Sequence, residues 1–286
     1  MNDYGVFDAR LAKVWRNPSG EVGVRATAAP APTRLLARLQ SPEDLLALLL
    51  YLEAVKGGVA EVCVPYLAYS RQDRVATPGD PVSIDVLARL LATTGVRRFS
   101  SIDVHSPASA VAFAKAGVDF FEIPLFPWLA RFVDALAVPR SRPLWFVAPD
   151  RGAFERTHAA AAALATIDRP IGVIACDKSR DPITRRLSGF AVAADAPATL
   201  GADPALIVVD DICEGGDTFL GVVQALQSRY GSRISPDFWT THGIYSRGLD
   251  AIAADGRRIG STDSSLHGLS HPRLTTIPLA SAVPPG

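Results

Sequence analysis

The chain has 286 residues, 20% charged and 48% hydrophobic, the make-up of a soluble globular protein with room for one large or two medium domains. Lys+Arg and Asp+Glu both number 29, so net charge gives no ground for a nucleic acid or an anionic membrane as partner, and any anion must be recognised locally. The three scattered cysteines, Cys63, Cys176 and Cys213, have neither zinc-site nor disulfide-framework spacing and point to a reducing cytoplasm.

In chain order, "MNDYGVFDARLAKVWRNPSGE" mixes charges without an apolar run and does not read as a signal peptide. "LLALLLYLEAV" is too short to span a bilayer and reads as a buried helix. "EVCVPYLAY", from Glu61, predicts a buried strand. "SIDVLARLLATTG" predicts a helix with a serine cap and a stop at Gly95. "RRFSSIDVH" is the next strand, with Asp103 and His105 at its end, and "PASAVAFAKAG" and "PWLARFVDAL" follow as helices. The polar, proline-flanked "AVPRSRP" interrupts the pattern, and a domain boundary is placed near residue 139. The alternation then restarts: strand "LWFVAPD", helix "AFERTHAAAAALA", strands "IGVIACDK" and "LIVVDD", helix "FLGVVQALQSRYG", strand "DFWTTHGIY". Such alternation predicts largely parallel sheets flanked by helices, in two units covering residues 1–139 and 140–286.

In open α/β sheets, ligands sit beyond the carboxyl ends of the strands. Here several strands end in polar clusters: "PYLAYSRQDR", "DVH", "APDRG", "DKSRD" and "VVDD". The stretch "LIVVDDICEGGDTFLGVVQAL" is the most informative. A buried strand ends in Asp210 and Asp211, passes through Glu214, Gly215, Gly216, Asp217 and Thr218, and enters a helix. A helix start attracts phosphate through its N–H groups, yet this loop has four carboxylates and no lysine. The conflict disappears if the ligand is a sugar phosphate. Two adjacent carboxylates suit a vicinal diol, while the amides after Gly216 and the Thr218 hydroxyl suit the phosphate.

"VVDDICEGGDT" resembles the phosphoribosyl-diphosphate (PRPP) loop shared by type I phosphoribosyltransferases and PRPP synthetase, and the other landmarks point to the synthetase family, the ribose-phosphate diphosphokinases. "PYLAYSRQDR" is similar to that family's Pro-Tyr-x-x-Tyr-x-Arg-Gln-Asp-Arg segment, "SIDVH" to its Asp-Leu-His strand end, and "VAPDRG" to its Ser-Pro-Asp-x-Gly turn. "DKSRD" resembles its Lys-x-Arg catalytic loop and "TTHGIYSRG" its Thr-His-Gly-Ile-Phe-Ser strand. The resemblance implies an α/β chain of two tandem type I phosphoribosyltransferase-like domains, the first contacting ATP and the second ribose 5-phosphate. It implies transfer of the diphosphoryl group of ATP to O1 of ribose 5-phosphate with Mg2+, giving PRPP and AMP, in a homo-oligomer (dimer or hexamer) without nucleic-acid or membrane partners.

Residue by residue, the resemblance makes Lys178 and Arg180 catalytic. It gives ATP to Arg71, Gln72, Arg74, Glu21 and His105, metal to His105 and Asp150, and ribose 5-phosphate to Asp210, Asp211, Glu214, Gly215, Gly216, Asp217 and Thr218. Singly, several have plainer explanations: His105 as a hydrogen-bonded strand-end histidine, Arg71 and Arg74 as partners of Asp73 or Asp80, Lys178 and Arg180 as part of a solvated charged loop. His158 and His242 read as structural.

Departures mark a divergent branch. Asn17, in "NPSGE", stands where the family has a phenylalanine that stacks on adenine, and "SPASAVAF" follows His105 in place of a glutamine-containing segment. Glu214 replaces an aspartate and Asp217 a glycine, adding charge near the phosphate. The segment before Asn17 is shorter than the family's first strand–helix unit. Two other functions compete: a non-catalytic paralogue that regulates a synthetase, and a phosphoribosyltransferase consuming PRPP, which would leave "SRQDR" and "DVH" unexplained.

Overall fold

The structure is a computed structural model describing residues 4–180, 187–265 and 269–281. The chain divides into two compact units at Pro124/Leu125.

The first unit begins with β1 (Gly5–Val6), an antiparallel hairpin of β2 (Ala12–Arg16) and β3 (Val22–Ala26), and β4 (Arg34–Leu36). It continues through α1 (Pro42–Ala54), β5 (Glu61–Cys63), α2 (Ser83–Ala92), β6 (Arg98–Ile102), α3 (Ala108–Lys115) and β7 (Asp119–Ile123). Five strands pair in parallel in the order β1-β4-β5-β6-β7. The apolar run predicted as a buried helix is α1. Its start is set by a capping box, with Ser41 accepting from the Asp44 amide and Asp44 from the Ser41 amide, and by Pro42 in the first turn. Leu48, Tyr51, Val62, Leu87, Phe99 and Phe113 form its core, with Phe113 stacked on Phe120 at 4.5 Å.

Two local expectations fail here. The strand predicted from Glu61 to Tyr69 stops at Cys63. Pro65 has no amide to donate, and its carbonyl instead accepts from the Ile102 amide and Ser101 hydroxyl. The serine cap of α2 is also absent. Val82 occupies the cap position without a side-chain bond, and the Ser83 hydroxyl donates to Gln72 Oε1 at 2.6 Å.

The second unit holds α4 (Phe126–Ala135), β8 (Leu144–Ala148), a 3₁₀ turn (Arg151–Ala153), α5 (Phe154–Leu164), β9 (Ile171–Arg180) and β10 (Leu187–Val192). After these come β11 (Ala205–Cys213), α6 (Asp217–Tyr230), β12 (Asp237–Gly243), β13 (Ile259–Thr262) and β14 (Leu274–Ile277). Seven strands run in the order β10-β9-β8-β11-β12-β13-β14, parallel except for the β9–β10 pair. Phe219 of α6 stacks on Phe238 of β12 at 4.6 Å, both fully buried. The unit starts ahead of the polar break near residue 139 because α4 packs on α5, β13 and β14. Its Phe132 ring occupies the space where a side chain on Gly260 would stand, 5.7 Å from Trp239. Burying such rings contributes roughly 1.5–3 kcal/mol each, so core membership overrides the polar boundary signal.

Candidate functional site

In the second unit the polar strand ends gather at the carboxyl edge of the sheet. β11 does not end at Asp210 and Asp211 as expected but continues in register with β12 to Cys213, and α6 begins after a turn at Gly216, whose φ is +88°. A β-carbon there would also lie 2.7 Å from the Ile252 side chain, so glycine is strongly favoured. Gly216 caps α6 without a side-chain bond, so the first-turn amides of Asp217 and Thr218 head a helix start suited to an anion. The segment after β12 clamps this loop: Ile244 and Tyr245 amides donate to the Cys213 carbonyl (2.9 and 3.1 Å), and the Ser246 amide to the Glu214 carbonyl (2.7 Å).

Lys178, half-buried on β9, donates through Nζ to Thr218 Oγ1 at 3.2 Å. Its ammonium also stands 5.5 Å from the centre of the Phe190 ring on β10. That ring rests on Gly221 of α6, where a β-carbon would lie 2.1 Å away. Arg180 ends β9, and its side chain lies outside the described residues. Asp150 follows β8, and its Oδ1 accepts the Ala153 amide at 3.1 Å, capping the 3₁₀ turn. Arg151 pairs with Asp177 at 2.7 Å, on the neighbouring strand.

The acid pair is the electrostatic centre. Asp211 is 3% exposed, and Asp210 Oδ1 accepts the Asp211 amide at 3.0 Å. Arg156 of α5 reaches both, 3.1 Å from Asp211 Oδ1 and 3.8 Å from Asp210 Oδ1. Burial, then the Asp211 charge, pushes the Asp210 carboxyl well above the ordinary range, and Arg156 opposes this. Asp217 is paired with Arg247 at 2.7 Å, so the added charge at that position is balanced from within the chain. The Arg247 guanidinium also lies over Gly215. Burial pushes the Cys63, Cys176 and Cys213 thiols up to about 12, which keeps them protonated and unsuited to nucleophilic roles.

The first unit presents its own cluster. Arg71, Gln72 and Arg74 are exposed in the β5–α2 connection, with Gln72 fixed by Ser83 and Arg74 3.8 Å from Asp73. His105 is exposed just after β6, behind the buried Asp103, which adopts φ +45°. Glu21 lies at the foot of the β2–β3 turn and accepts from Ser19 at 2.8 Å. Asn17 Oδ1 accepts from the Trp15 indole at 3.0 Å.

Among the described residues, no three His, Cys, Asp or Glu side chains converge on a metal position. A magnesium ion carried largely by phosphate oxygens needs only one or two protein carboxylates, which Asp150 fits; the imidazole of His105 is the poorer donor. Also among the described residues, no helix is long and apolar enough to cross a membrane.

Three residues that the sequence reading left without a role stand in this site: Arg156, Arg247 and Phe190. Arg156 and Arg247 do so through partners distant in sequence, and only Arg247 lay within a quoted motif, "TTHGIYSRG".

Two α/β units of largely parallel sheets, the second with an aspartate pair near the end of a strand, a glycine turn and an open helix start, define a protein of the two-domain phosphoribosyltransferase-like fold. The crystal structure of phosphoribosylpyrophosphate synthetase from Mycobacterium smegmatis shares this fold, with a TM-score of 0.73 and 21% identity over 94% of this chain and 86% of that one. A family model for the N-terminal domain of ribose phosphate pyrophosphokinase matches residues 31–95. The ribose-phosphate pyrophosphokinase of Granulibacter bethesdensis is 30% identical over 237 residues, 82% of this chain and 69% of that protein. That of Mycoplasma pneumoniae is 27% identical over 213 residues, 71% of this chain and 58% of that protein. The chain belongs to the ribose-phosphate pyrophosphokinase family of enzymes.

Proposed function

We propose that the chain makes PRPP by transferring the β,γ-diphosphoryl group of ATP to O1 of ribose 5-phosphate. The O1–Pβ bond forms, the bond from Pβ to the α-phosphate oxygen breaks, AMP leaves, and the O1 proton passes to solvent. No covalent enzyme intermediate is required, so the residues act by positioning and charge balance.

The observation that carries this reading is the 3.2 Å bond between Lys178 and Thr218, which ties the lysine of the Lys-x-Arg strand to the sugar-phosphate loop. In this reading Asp210 and Asp211 accept the ribose hydroxyls, and the amides after Gly216, with Thr218, take the 5-phosphate. Lys178 and Arg180 steady the transferring group. Arg71, Gln72, Arg74, Glu21 and His105, in the first unit, serve ATP. Asp150 and, as the poorer donor, His105 are each candidate magnesium ligands, and the metal would neutralise charge on the diphosphoryl group when bound. Homo-oligomeric assembly belongs to the same proposal and is checked by sedimentation. The presence of Lys178 beside the loop favours a catalyst over a regulatory paralogue.

The test is AMP formation from ATP, magnesium and ribose 5-phosphate, with each omitted in turn. AMP appearing only with all three, and without a nucleobase, is the expected result. No AMP from folded protein would overturn the catalytic reading.

A further inference from the structure

The sugar-binding reading treats Asp210 and Asp211 as equivalent acceptors, but their surroundings differ. One nitrogen, Arg156 Nη1, lies 3.1 Å from Asp211 Oδ1 and 3.8 Å from Asp210 Oδ1. Arg156 is the third residue of α5, and its side chain is 15% exposed, so the guanidinium is delivered by a packed helix. Asp211 is further enclosed by β12, whose Thr240 hydroxyl donates to the Asp211 carbonyl at 3.3 Å.

Among the described residues, further carboxylates, a paired acid and a hydrogen-bonded histidine stand on the neighbouring elements. Asp150, after β8, adds negative potential. On the loop and α6, Asp217 is held by Arg247, and Glu214 adds a further carboxylate. On β12, His242 stands opposite Ile212 and shares its Nδ1 with Ser264 at 2.7 Å. Two neighbouring carboxylates in one shielded site do not both ionise easily, and a cation in contact with one decides which keeps its charge.

We infer that Arg156 is a positioning residue that makes the pair unequal: it anchors Asp211 as a fixed carboxylate and leaves Asp210 as the member that exchanges protons and must be ionised before both can accept the ligand's hydroxyls. For the ligand, this rests on the reading that ribose hydroxyls bind at the pair. An arginine suits the task because it keeps its charge at every working pH.

The experiment follows the titration of the Asp210 carboxyl by infrared spectroscopy, assigned through Asp210→Asn, beside calorimetric binding of ribose 5-phosphate across the same pH range. Arg156→Met is expected to raise the midpoint by about one pH unit and to weaken sugar binding roughly tenfold near neutral pH, the deficit closing as pH rises. Arg156→Lys should hold the midpoint near wild type and recover most of the affinity. Asp211→Asn, in which the repulsive neighbour is gone, should lower the midpoint, and it carries the test if Arg156→Met does not fold.

An unmoved midpoint in Arg156→Met, or in Asp211→Asn, overturns the inference even if wild-type protein binds the sugar. So does a loss of affinity equal at all pH values and shared by Arg156→Lys, the signature of a purely structural role. If the midpoints move as stated while wild-type protein binds no ribose 5-phosphate, the unequal pair stands and the sugar-binding reading falls.

Discussion

Two loops that follow buried strands, β11–α6 in the second unit and β5–α2 in the first, are built on opposite principles. Around Glu214–Thr218 the loop is tied down while its helix start stays open: backbone amides clamp the Cys213 and Glu214 carbonyls, Arg247 meets Asp217, and Lys178 meets Thr218. Around Arg71–Arg74 the long cations stand exposed, and the ion pair there spans 3.8 Å. The first arrangement is preorganised. If the second binds a nucleotide as proposed, its exposed arginines would be ordered on binding, at roughly 0.5–1.5 kcal/mol for each one immobilised. On the proposed reading, a sugar phosphate would be selected by shape and a nucleotide by charge, and only the latter should respond strongly to salt.

The sharpest way to break this comparison is at its chemical centre. Lys178→Ala should lower kcat by an amount worth roughly 2–4 kcal/mol, with little effect on ribose 5-phosphate affinity. Arg180→Ala should behave alike. Steady-state kinetics beside calorimetry separates the two quantities, and unchanged turnover in both variants would remove them from the mechanism.

Next in size is the backbone of the preorganised loop. Gly216→Ala meets both a positive φ and the Ile252 side chain, at a cost of roughly 1–3 kcal/mol. Thermal unfolding should register that cost, and ribose 5-phosphate binding should weaken with ATP binding intact. Gly221→Ala acts one layer further out. A methyl there displaces the Phe190 ring, and with it the aromatic surface under Lys178. Turnover should fall by roughly 1 kcal/mol with the loop still binding sugar phosphate. A variant that keeps full turnover would show that Phe190 does not steady the lysine.

The same contrast explains what the sequence could disclose. The β11–α6 loop is one contiguous segment whose strand, glycines and helix start are all local signals, so its fold and its candidate residues were legible together. The alternation of α and β elements was legible for the same reason. Arg156 was not, because its partners lie on another element and an arginine in an alanine-rich helix looks like an ordinary solubilising residue. β1–β4, β7, β10, β13 and β14 likewise have no counterpart among the predicted strands. β14 is a short, partly exposed edge strand, and β10 takes its place only by antiparallel pairing with β9. The cap expected of Ser83 was a sound local rule overridden by a side-chain contact to Gln72.

Asp210 offers a smaller, pH-dependent test. Its folded-state carboxyl is raised, so folded protein binds the proton more tightly than unfolded chain, and the stability this confers is lost as pH rises through the raised value. Asp210→Asn should therefore unfold at a higher temperature than wild type in alkaline buffer and show a flatter pH dependence. In the exposed cluster, Arg71→Ala and Arg74→Ala should each raise the KM for ATP by an amount worth about 1 kcal/mol, shrinking with added salt, with no change in melting temperature.

The smallest expected effect concerns Asp217 and Arg247. Both side chains are more than half exposed, so the pair itself should contribute within about 0.5 kcal/mol of stability. On the proposed reading, its value lies in charge balance beside the phosphate. Arg247→Ala leaves the Asp217 charge uncompensated near the start of α6, where it opposes an incoming anion. Ribose 5-phosphate affinity should then fall about threefold in dilute buffer and recover in high salt. Asp217→Gly added to Arg247→Ala should restore binding without salt, because the offending charge is gone. If the double variant binds as weakly as Arg247→Ala, the guanidinium contacts the phosphate itself, and the loop is less self-sufficient than its backbone hydrogen bonds imply.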